Sequence, residues 1–342
     1  MAREAPRLSS AFAGSLADTG RQPSVFSPRV VGLMRRTALS GVIMTTAGAL
    51  ALGYAHLETR RPVLRRYTAE ISPRSGFERL RILHVSDVHM YPGRDFLKDF
   101  LSKVVAREPI DLVVSTGDNL GSPDSLPQLL DAYEPLLHLP GAFVLGSNDY
   151  YSPLSKSWLS YLHRRDPDRS EGHARRDQPD LPWLELVTRF LDSGWIDLSN
   201  RSDQLDVAGL TLALTGVDDP HIRRDRMPTP PAAWFDSDSI RLGLTHSPYR
   251  RVLDAMALGE ADLICAGHTH GGQVRIPGLG ALVTNSDLPR RYASGLHTWS
   301  PPELPKSKSW LHVSAGLGNS PYAPVRFSCR PEVSLIELIP ER

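Results

Sequence analysis

The residues with the clearest chemical potential form five short polar clusters, each of which follows a predicted strand. They are Ser86-Asp87-Val88-His89, Gly117-Asp118-Asn119, Gly146-Ser147-Asn148-Asp149, Thr245-His246-Ser247-Pro248 and Gly267-His268-Thr269-His270-Gly271-Gly272. Asp, Asn and His side chains supply the oxygen and nitrogen ligands suited to Mn, Fe, Zn or Co. The clusters therefore favour a divalent metal centre over a bare acid–base pair.

The spacing within two of the clusters favours one shared site. Asp87 and His89 are two residues apart, as are His268 and His270. In an extended segment each pair leaves one face, and can thus reach two ions about 4 Å apart. Glycines beside the clusters allow close backbone approach without a Cβ clash; they are Gly117, Gly146, Gly267, Gly271 and Gly272.

The elements that must position these clusters alternate between strand and helix patterns, which predicts an α/β fold with mostly buried strands. Strands are predicted at 80–86, 110–116, 142–145, 210–216, 240–245, 262–266 and 311–314, a closing hairpin at 325–339, and helices at 96–105, 126–137 and 183–191. Ligands of such sheets bind beyond the carboxyl ends of the strands. All five clusters are therefore expected to converge.

The composition narrows the classes of function. The 342 residues carry 39 Lys and Arg against 38 Asp and Glu, a formal net charge of +1. This near-neutral balance argues against a nucleic-acid scaffold, which would need a basic excess on one face. The two cysteines, Cys265 and Cys329, cannot form a zinc-finger set or a disulfide framework.

The domain organisation predicted from the pattern has an N-terminal membrane segment. Arg35 and Arg36 precede an uncharged stretch at residues 37–55, which suits a transmembrane helix or signal-anchor; a buried soluble helix is the alternative. Arginines flank both ends, so the side of the membrane stays open. The predicted parts are a disordered leader (1–33), the membrane segment (34–57), a linker (58–77) and a catalytic domain (78–342) with a charged surface insertion (163–180). The chain is thus expected to be membrane-associated or exported.

The five clusters, in this order, resemble the calcineurin-like metallophosphoesterases, whose pattern is D-x-H, G-D, G-N-H-D/E, a lone His and G-H-x-H. The resemblance covers about residues 80–340. It is greatest to a membrane-associated or exported bacterial phosphodiesterase-like branch, which shares a G-H-T-H-G-G-Q box like residues 267–273. It implies a four-layer sandwich of two mixed β-sheets flanked by helices, with a dinuclear metal site at the carboxyl ends of the strands.

The resemblance also implies a set of ligands and a mechanism. It places Asp87, His89 and His270 on one metal, Asn148, His246 and His268 on the other, and Asp118 between them. It implies attack on phosphorus by a metal-bridging hydroxide, with Asp118, Asn148 and Asp149 as catalytic residues. Since imidazoles bind metals in the neutral form, metal affinity should fall in acid.

The third cluster departs from the family pattern. Aligned without a gap, Ser147 replaces the ligand Asn and Asn148 replaces the usual His; shifted by one, Asn148 keeps the ligand role and Asp149 takes the His position. We prefer the shift, because Ser is a poor neutral ligand. In both alignments the His that usually protonates the leaving group is missing. Either Asp149 substitutes, with a pKa raised by burial, or substrates are limited to good leaving groups.

Two functions remain open at this point. The first is hydrolysis of phosphomonoesters or phosphodiesters, with lipid-linked substrates included because the predicted anchor would hold the site near a bilayer. The second is a metal-loaded but catalytically weak or silent protein that binds a phosphorylated lipid or partner. Among weaker candidates, the segment Asp218-Asp219-Pro220-His221 could line the substrate mouth or form an Asx turn, and His84 is expected to be a core histidine.

Overall fold

The computed structural model describes residues 28–153, 178–305 and 308–341. The chain divides into two compact units, one ending at Leu50 and the other running from Ala51 to Arg342. The strands, and all five polar clusters, belong to the second unit.

The strands of the described residues are β1 (Val63–Ile71), β2 (Leu80–Val85), β3 (Leu112–Ser115), β4 (Gly141–Phe143), β5 (Ile196–Asp197), β6 (Arg201–Val207), β7 (Leu210–Gly216), β8 (Ile240–Thr245), β9 (Leu263–Ala266), β10 (Arg275–Ile276), β11 (Gly280–Ala281), β12 (Gly295–Trp299), β13 (Ser309–Val313) and β14 (Glu332–Pro340). The α-helices are α1 (Pro28–Glu58), α2 (Phe96–Arg107), α3 (Leu126–Tyr133), α4 (Ser147–Tyr150), α5 (Trp183–Asp192) and α6 (Arg250–Leu258).

Two six-stranded mixed sheets make up the framework. The first has the order β1-β14-β2-β3-β4-β5, and the second the order β12-β13-β9-β8-β7-β6. Strands β2 to β5 are parallel in the first sheet, and β13, β9, β8 and β7 are parallel in the second. The loops after β2, β3, β4, β8 and β9 therefore leave the carboxyl ends of parallel strands.

The secondary structure forms four layers, in the order helices, first sheet, second sheet and helix. Apolar side chains fill each of the three spaces between these layers. Apolar side chains of both sheets, such as Leu112 and Leu244, fill the space between the sheets. Helices α2, α3 and α5 cover the outer face of the first sheet, while α6 covers that of the second. Burying one such side chain contributes about 1.5–3 kcal/mol to stability. These apolar layers therefore stabilise the strands from which the polar clusters extend. The predicted sandwich of two mixed sheets flanked by helices is confirmed.

Two predicted features near the chain ends are corrected. Residues 325–339 do not form a hairpin: β14 is a single strand that lies between β1, to which it is parallel, and β2, to which it is antiparallel. Its partner β1 falls inside the predicted linker at 58–77. The adjacent residues Arg65 and Arg66 interrupt the apolar alternation by which a strand is recognised in a sequence. In the structure, Arg65 forms an ion pair with Glu332 and Arg66 forms one with Glu108.

The N-terminal region also differs from the sequence expectation. Helix α1 begins at Pro28, inside the predicted leader, and ends at Glu58. Among the described residues, no helix is both long and apolar enough to cross a membrane, so the spanning segment predicted at 34–57 is not supported. Residues 1–27 of the leader and most of the predicted insertion, 163–177, lie outside the described residues.

Candidate metal centre

The loops after five strands meet at one end of the sandwich and are joined by backbone hydrogen bonds. The N–H of Asp87 donates to the carbonyl of Gly117 at 2.9 Å, and the N–H of His89 donates to that of Asp118 at 2.9 Å. Across the two sheets, the N–H of His268 donates to the Asp87 carboxylate at 3.0 Å. The convergence predicted from the strand ends therefore occurs, and it is fixed by the backbone.

Five of the predicted ligands form two groups that could each hold a metal ion. Asp87, His89 and His270 make one group, and Asp87, Asp118 and His246 make the other, with the ligand atoms of each group within 4.8 Å of one another. The two groups share Asp87. The family resemblance implied a bridging role for Asp118, whose Oδ2 lies 3.5 Å from His89 Nε2 and 3.4 Å from His246 Nε2.

The histidine nitrogens are oriented as metal ligands would be. The Nδ1–H of His246 donates to the carbonyl of Thr116 at 2.6 Å, which directs Nε2 toward Asp118 Oδ2, 3.4 Å away. That Nε2 is fully buried and forms no hydrogen bond within the described residues. His89 Nε2 and His270 Nε2 face each other at 3.1 Å. A hydrogen bond from the second nitrogen is the usual way in which a ligating imidazole is held.

The backbone at the predicted ligands is strained. Five of them are non-glycine residues with positive φ, between 42° and 69°: Asp87, His89, Asp118, His268 and His270. The pairs Asp87/His89 and His268/His270 were predicted to share a face of an extended segment, and that conformation is wrong. Left-handed residues of this kind cost on the order of 1 kcal/mol or more and occur preferentially at functional sites. This left-handed backbone conformation sets the direction of the side chains at Asp87, His89, His268 and His270.

Glycines permit this approach at two positions in particular. Gly117 has φ +87°, and a Cβ there would collide with the backbone of Gly146. At Gly267 a Cβ would overlap Ser86 Oγ and lie 2.5 Å from Asp87 Oδ2. The close contact between the loops of the two sheets thus requires glycine at 267.

The carboxylates of the site differ in acidity because of their neighbours. Burial raises the pKa of Asp87 to about 6, and the negative charge of Asp118 adds to this effect. Burial would also raise the pKa of Asp118, but His246 and His89 beside it hold the pKa well below its usual value. The same attraction to Asp118 overcomes burial at His246 and raises its pKa. A cation would therefore have to displace the proton that His246 shares with Asp118.

The remaining imidazoles are kept neutral by burial. Burial lowers the pKa of His89 to about 4, and it lowers the pKa values of His268 and His270 well below the usual value. Neutral imidazoles, buried carboxylates and a buried orphan nitrogen are what a divalent cation requires. The described residues thus fit the metal site that the sequence predicted.

Two predicted ligands lie at the margin of this cluster. His268 belongs to neither group; its Nε2–H donates to the carbonyl of Asn285 at 3.1 Å, and its ring lies 5.2 Å from that of His246. The backbone N–H of Asn148 donates to Asp118 Oδ1 at 2.6 Å, while its side-chain amide donates to the carbonyl of Tyr151 at 2.9 Å. The ligand roles of both residues stay predictions.

Asp149 is surrounded by hydrogen-bond donors rather than by open space. One carboxylate oxygen accepts the N–H groups of Gly146 and Asp118, at 2.8 and 2.9 Å. The other accepts the N–H of Asn119 at 2.8 Å and its side-chain amide at 3.2 Å. Burial raises the pKa of Asp149 to about 7. The raised pKa matches the expectation for a proton donor, but both oxygens are engaged in holding the second and third loops together.

Two further residues lie near the centre, and only one of them, His221, belongs to a segment that the sequence singled out. The guanidinium of Arg326 is completely buried and donates to the carbonyls of Ala315, Gly316 and Gly318, with His270 Nδ1 at 3.3 Å. His221 forms the expected Asx turn, because Asp219 accepts its N–H. Its ring nevertheless lies 4.5 Å from the ring of His268. No motif distinguishes Arg326 from the other arginines of the chain.

Comparison with known proteins identifies relatives of the chain. The family described as Calcineurin-like phosphoesterase matches residues 80–272, a range that contains all five polar clusters. A metallophosphoesterase of Aquifex aeolicus is 27% identical over 299 residues, which cover 85% of this chain and 97% of that protein. The phosphodiesterase YaeI of Escherichia coli is 25% identical over 316 residues, covering 90% of this chain and 100% of YaeI. The UDP-2,3-diacylglucosamine pyrophosphatase LpxG of Chlamydia trachomatis is 26% identical over 299 residues, which cover 77% of this chain and 84% of LpxG.

Proposed function

Because the chain belongs to the calcineurin-like phosphoesterase family, we propose that it is a metal-dependent hydrolase of phosphomonoesters or phosphodiesters. The observation that carries this proposal is the pair of ligand groups that share Asp87 at the ends of the parallel strands. The names of two relatives, a phosphodiesterase and a pyrophosphatase, support cleavage of a phosphate ester or anhydride.

We propose that Asp87, His89 and His270 hold one divalent ion, of Mn, Fe, Zn or Co, and that Asp118 and His246 help to hold a second beside it. Divalent ions bound there would lower the pKa of water to provide a nucleophile at neutral pH and would offset the charge on the phosphoryl oxygens. The predicted roles of Asn148 and His268 in the second group are part of the same proposal.

Neighbouring residues would hold the metal-ligating side chains in place. The carbonyl of Thr116 fixes the orientation of His246, and the carbonyl of Asn285 fixes the tautomer of His268. His246 and His89 lower the pKa of Asp118, which favours its carboxylate form. The ligand atoms of each group already lie within 4.8 Å of one another, which removes much of the reorganisation cost of binding a cation.

Asp149 is better placed to position other residues than to give up a proton. All four of its hydrogen bonds come from N–H groups of the loops that carry Asp118 and Asn148. We therefore propose that the third cluster supplies no leaving-group acid. Substrates with good leaving groups should then be turned over faster than simple alkyl esters.

The same observation favours the second candidate function, a metal-loaded protein that binds a phosphorylated ligand with little or no turnover. The two candidates require the same metal centre and differ in whether phosphate is released. A lipid-linked ligand belongs to both candidates, since the name of LpxG describes a substrate with two acyl groups.

The experiment is a metal-supplemented assay of the full chain on p-nitrophenyl phosphate and bis-p-nitrophenyl phosphate, with metal content measured in parallel. Asp118→Asn should lose turnover and part of the bound metal, while Asp124→Asn, at an exposed position, should lose neither. Unchanged turnover in Asp118→Asn would overturn the proposed hydrolase. Bound metal without turnover on either ester in the wild type would favour the silent binder.

A further inference from the structure

We infer that an apolar cavity beside the metal centre binds the alkyl chain of an amphiphilic phosphate ester. This inference rests on the proposed function, because it places the phosphate at the predicted ligands. It adds a second subsite with its own chemistry, which selects substrates by chain length.

The cavity has a volume of about 240 Å³ and is enclosed mainly by aliphatic and aromatic side chains. Leu52 and Ala55 from the end of α1 form one wall, and Val283, Val325 and Phe327 contribute to others. Among the described residues, no Asp, Glu, Lys or Arg lines it. An apolar space of this kind favours an uncharged, flexible chain over a sugar or a nucleobase.

The cavity adjoins the metal centre, because His270 belongs to both. His270, a member of the first ligand group, lines the cavity, as does Asn285, whose carbonyl accepts the Nε2–H of His268. A molecule with its phosphate at the ligand groups can therefore extend directly into the cavity. One ligand with a charged head and an apolar tail satisfies both surfaces.

Three of the polar side chains that line the cavity, those of Thr269, Gln273 and Thr284, direct their donors to backbone carbonyls. The side-chain amide of Gln273 donates to the carbonyls of Ala323 and Val325, at 2.7 and 2.9 Å. The hydroxyl of Thr269 donates to the carbonyl of Ala293 at 2.6 Å, and that of Thr284 to the carbonyl of Leu288 at 3.2 Å. These donors are therefore not available to recognise a polar group inside the cavity.

The wall formed by α1 is held in place by the loop at the back of the metal centre. The N–H of Arg326 donates to the carbonyl of Ala55 at 2.9 Å. The carboxylate of Glu58 accepts the N–H groups of Ser328 and Cys329, at 3.1 and 2.7 Å. The cavity is thus a fixed part of the fold, and little ordering is needed when a chain enters it.

Exposed apolar side chains surround the same region. Leu52 lines the cavity and is nevertheless 64% exposed, so the cavity opens to solvent there. The hairpin of β10 and β11 connects two lining residues, Val274 and Leu282, and carries the exposed side chain of Leu279 at its turn. An amphiphile would bury part of this apolar surface as it enters.

The test compares binding of butylphosphonate and decylphosphonate to the manganese-loaded protein by titration calorimetry, with both ligands kept below the concentration at which micelles form. Phosphonates are not hydrolysed at their C–P bond, so binding is measured whether or not the protein turns over esters. Full burial of one methylene is worth about fourfold in affinity. Partial burial of the added chain should therefore give decylphosphonate at least a roughly tenfold advantage.

Two variants and a control test whether the alkyl chain of the phosphonate binds in this cavity. Leu52→Gln should remove most of the advantage of the long chain, and Val283→Phe should remove it by filling the cavity, while butylphosphonate binds both variants like the wild type. Leu57→Gln changes another exposed leucine of α1, one that does not line the cavity, and it should keep the advantage. Equal affinity for both phosphonates, no binding of either, or an advantage that survives in both variants would overturn the inference. Failure of the hydrolase assay with a preserved chain-length effect would reject the proposed turnover and leave the cavity assignment in place.

Discussion

The carboxylate of Asp149 accepts the backbone N–H of Asp118 at 2.9 Å, so the acid of the third cluster fixes the position of a predicted ligand in the second. Asp118 has a left-handed backbone with φ 56°, which a non-glycine residue adopts only when its surroundings compensate. The bond from Asp149 is part of that compensation. It links the loops after β3 and β4 at the point where both face the metal centre.

Asp149→Asn should therefore destabilise the protein and weaken metal binding. The amide nitrogen of asparagine would replace an oxygen that accepts two N–H groups and would place donors against donors. Because each buried group left without a partner costs about 1–3 kcal/mol, the free energy of unfolding should fall by roughly 2–4 kcal/mol. Urea unfolding and a metal titration measure the two effects.

The control for this variant is Asp124→Asn, which changes an exposed carboxylate and should alter the free energy of unfolding by less than about 0.5 kcal/mol. A different result would restore the role of Asp149 as a proton donor. In that case Asp149→Asn would be as stable as the wild type, and its loss of rate would grow as the leaving group becomes more basic.

Arg326→Met should also destabilise the fold, through the carbonyls that it leaves without a donor. The guanidinium donates to Ala315, Gly318 and Cys329 at 2.7, 2.5 and 3.2 Å. We expect a loss of about 3 kcal/mol or more in the free energy of unfolding. Because the same guanidinium lies 3.3 Å from His270 Nδ1, metal affinity should fall with it.

Arg330→Met serves as the comparison for Arg326→Met, since Arg330 is exposed and donates to the carbonyl of Arg61. Its effect on unfolding should stay below about 1 kcal/mol, with metal affinity unchanged. Equal losses in the two variants would show that Arg326 has no special part in holding the centre.

Much of the site could be predicted from the sequence because its signals are local. Each polar cluster follows an apolar strand in the printed sequence, and the carboxyl ends of parallel strands meet at one edge. The ligand types at Asp87, Asp118 and His246 therefore indicated both the chemistry and its location. The α/β fold class likewise follows from the alternation of strand and helix patterns, whereas the sandwich of two sheets was implied by the family resemblance.

The rest depends on pairings between distant parts of the chain. Strand β14 appeared to need a hairpin partner, but it pairs with β1, more than 250 residues earlier. The backbone conformation of His270 is set by contacts rather than by its own sequence, so the extended geometry assumed for the H-x-H pair was wrong. The importance of Arg326 arises from carbonyls that no sequence pattern places around it.

Gly267→Ala tests the close contact between the loops of the two sheets. The added Cβ would overlap Ser86 Oγ and approach Asp87 Oδ2 to 2.5 Å, so the loops must separate. Since overpacking of this kind costs about 1–3 kcal/mol, both the free energy of unfolding and metal affinity should fall. Unfolding in urea and a metal titration measure these losses.

Gly53→Ala is the control for Gly267→Ala, and it should raise the free energy of unfolding rather than lower it. Gly53 lies within α1, and a Cβ there meets nothing within 4 Å. Alanine favours a helix over glycine by up to about 1 kcal/mol, so this variant should be slightly more stable, with metal affinity unchanged. A stable Gly267→Ala protein with normal metal affinity would contradict the proposed need for close contact.

The stability of the fold in acid should depend on a buried histidine pair behind the metal centre. His84 and His312 are fully buried, with their Nδ1 atoms 2.8 Å apart, and His84 Nε2 lies 2.8 Å from Thr116 Oγ1. Burial lowers the pKa of His84 to about 3 and that of His312 well below its usual value. In the unfolded chain a histidine has a pKa of about 6.5. The unfolded state therefore binds protons that the folded state does not, and the contribution of the pair to stability is lost as the pH falls from about 6.5 toward 3.

His84→Gln should reduce this pH dependence. Each histidine linked in this way changes the free energy of unfolding by up to about 1.4 kcal/mol per pH unit, so the slope below pH 6 should become shallower by about that amount. Urea unfolding between pH 7 and pH 5 measures the slope. Ser334→Ala changes the buried residue opposite His84 on β14; it should shift stability at every pH and leave the slope as it is in the wild type. An unchanged slope in His84→Gln would mean that His84 is already protonated in the folded protein, and the buried pair would then have to be described as a charged one.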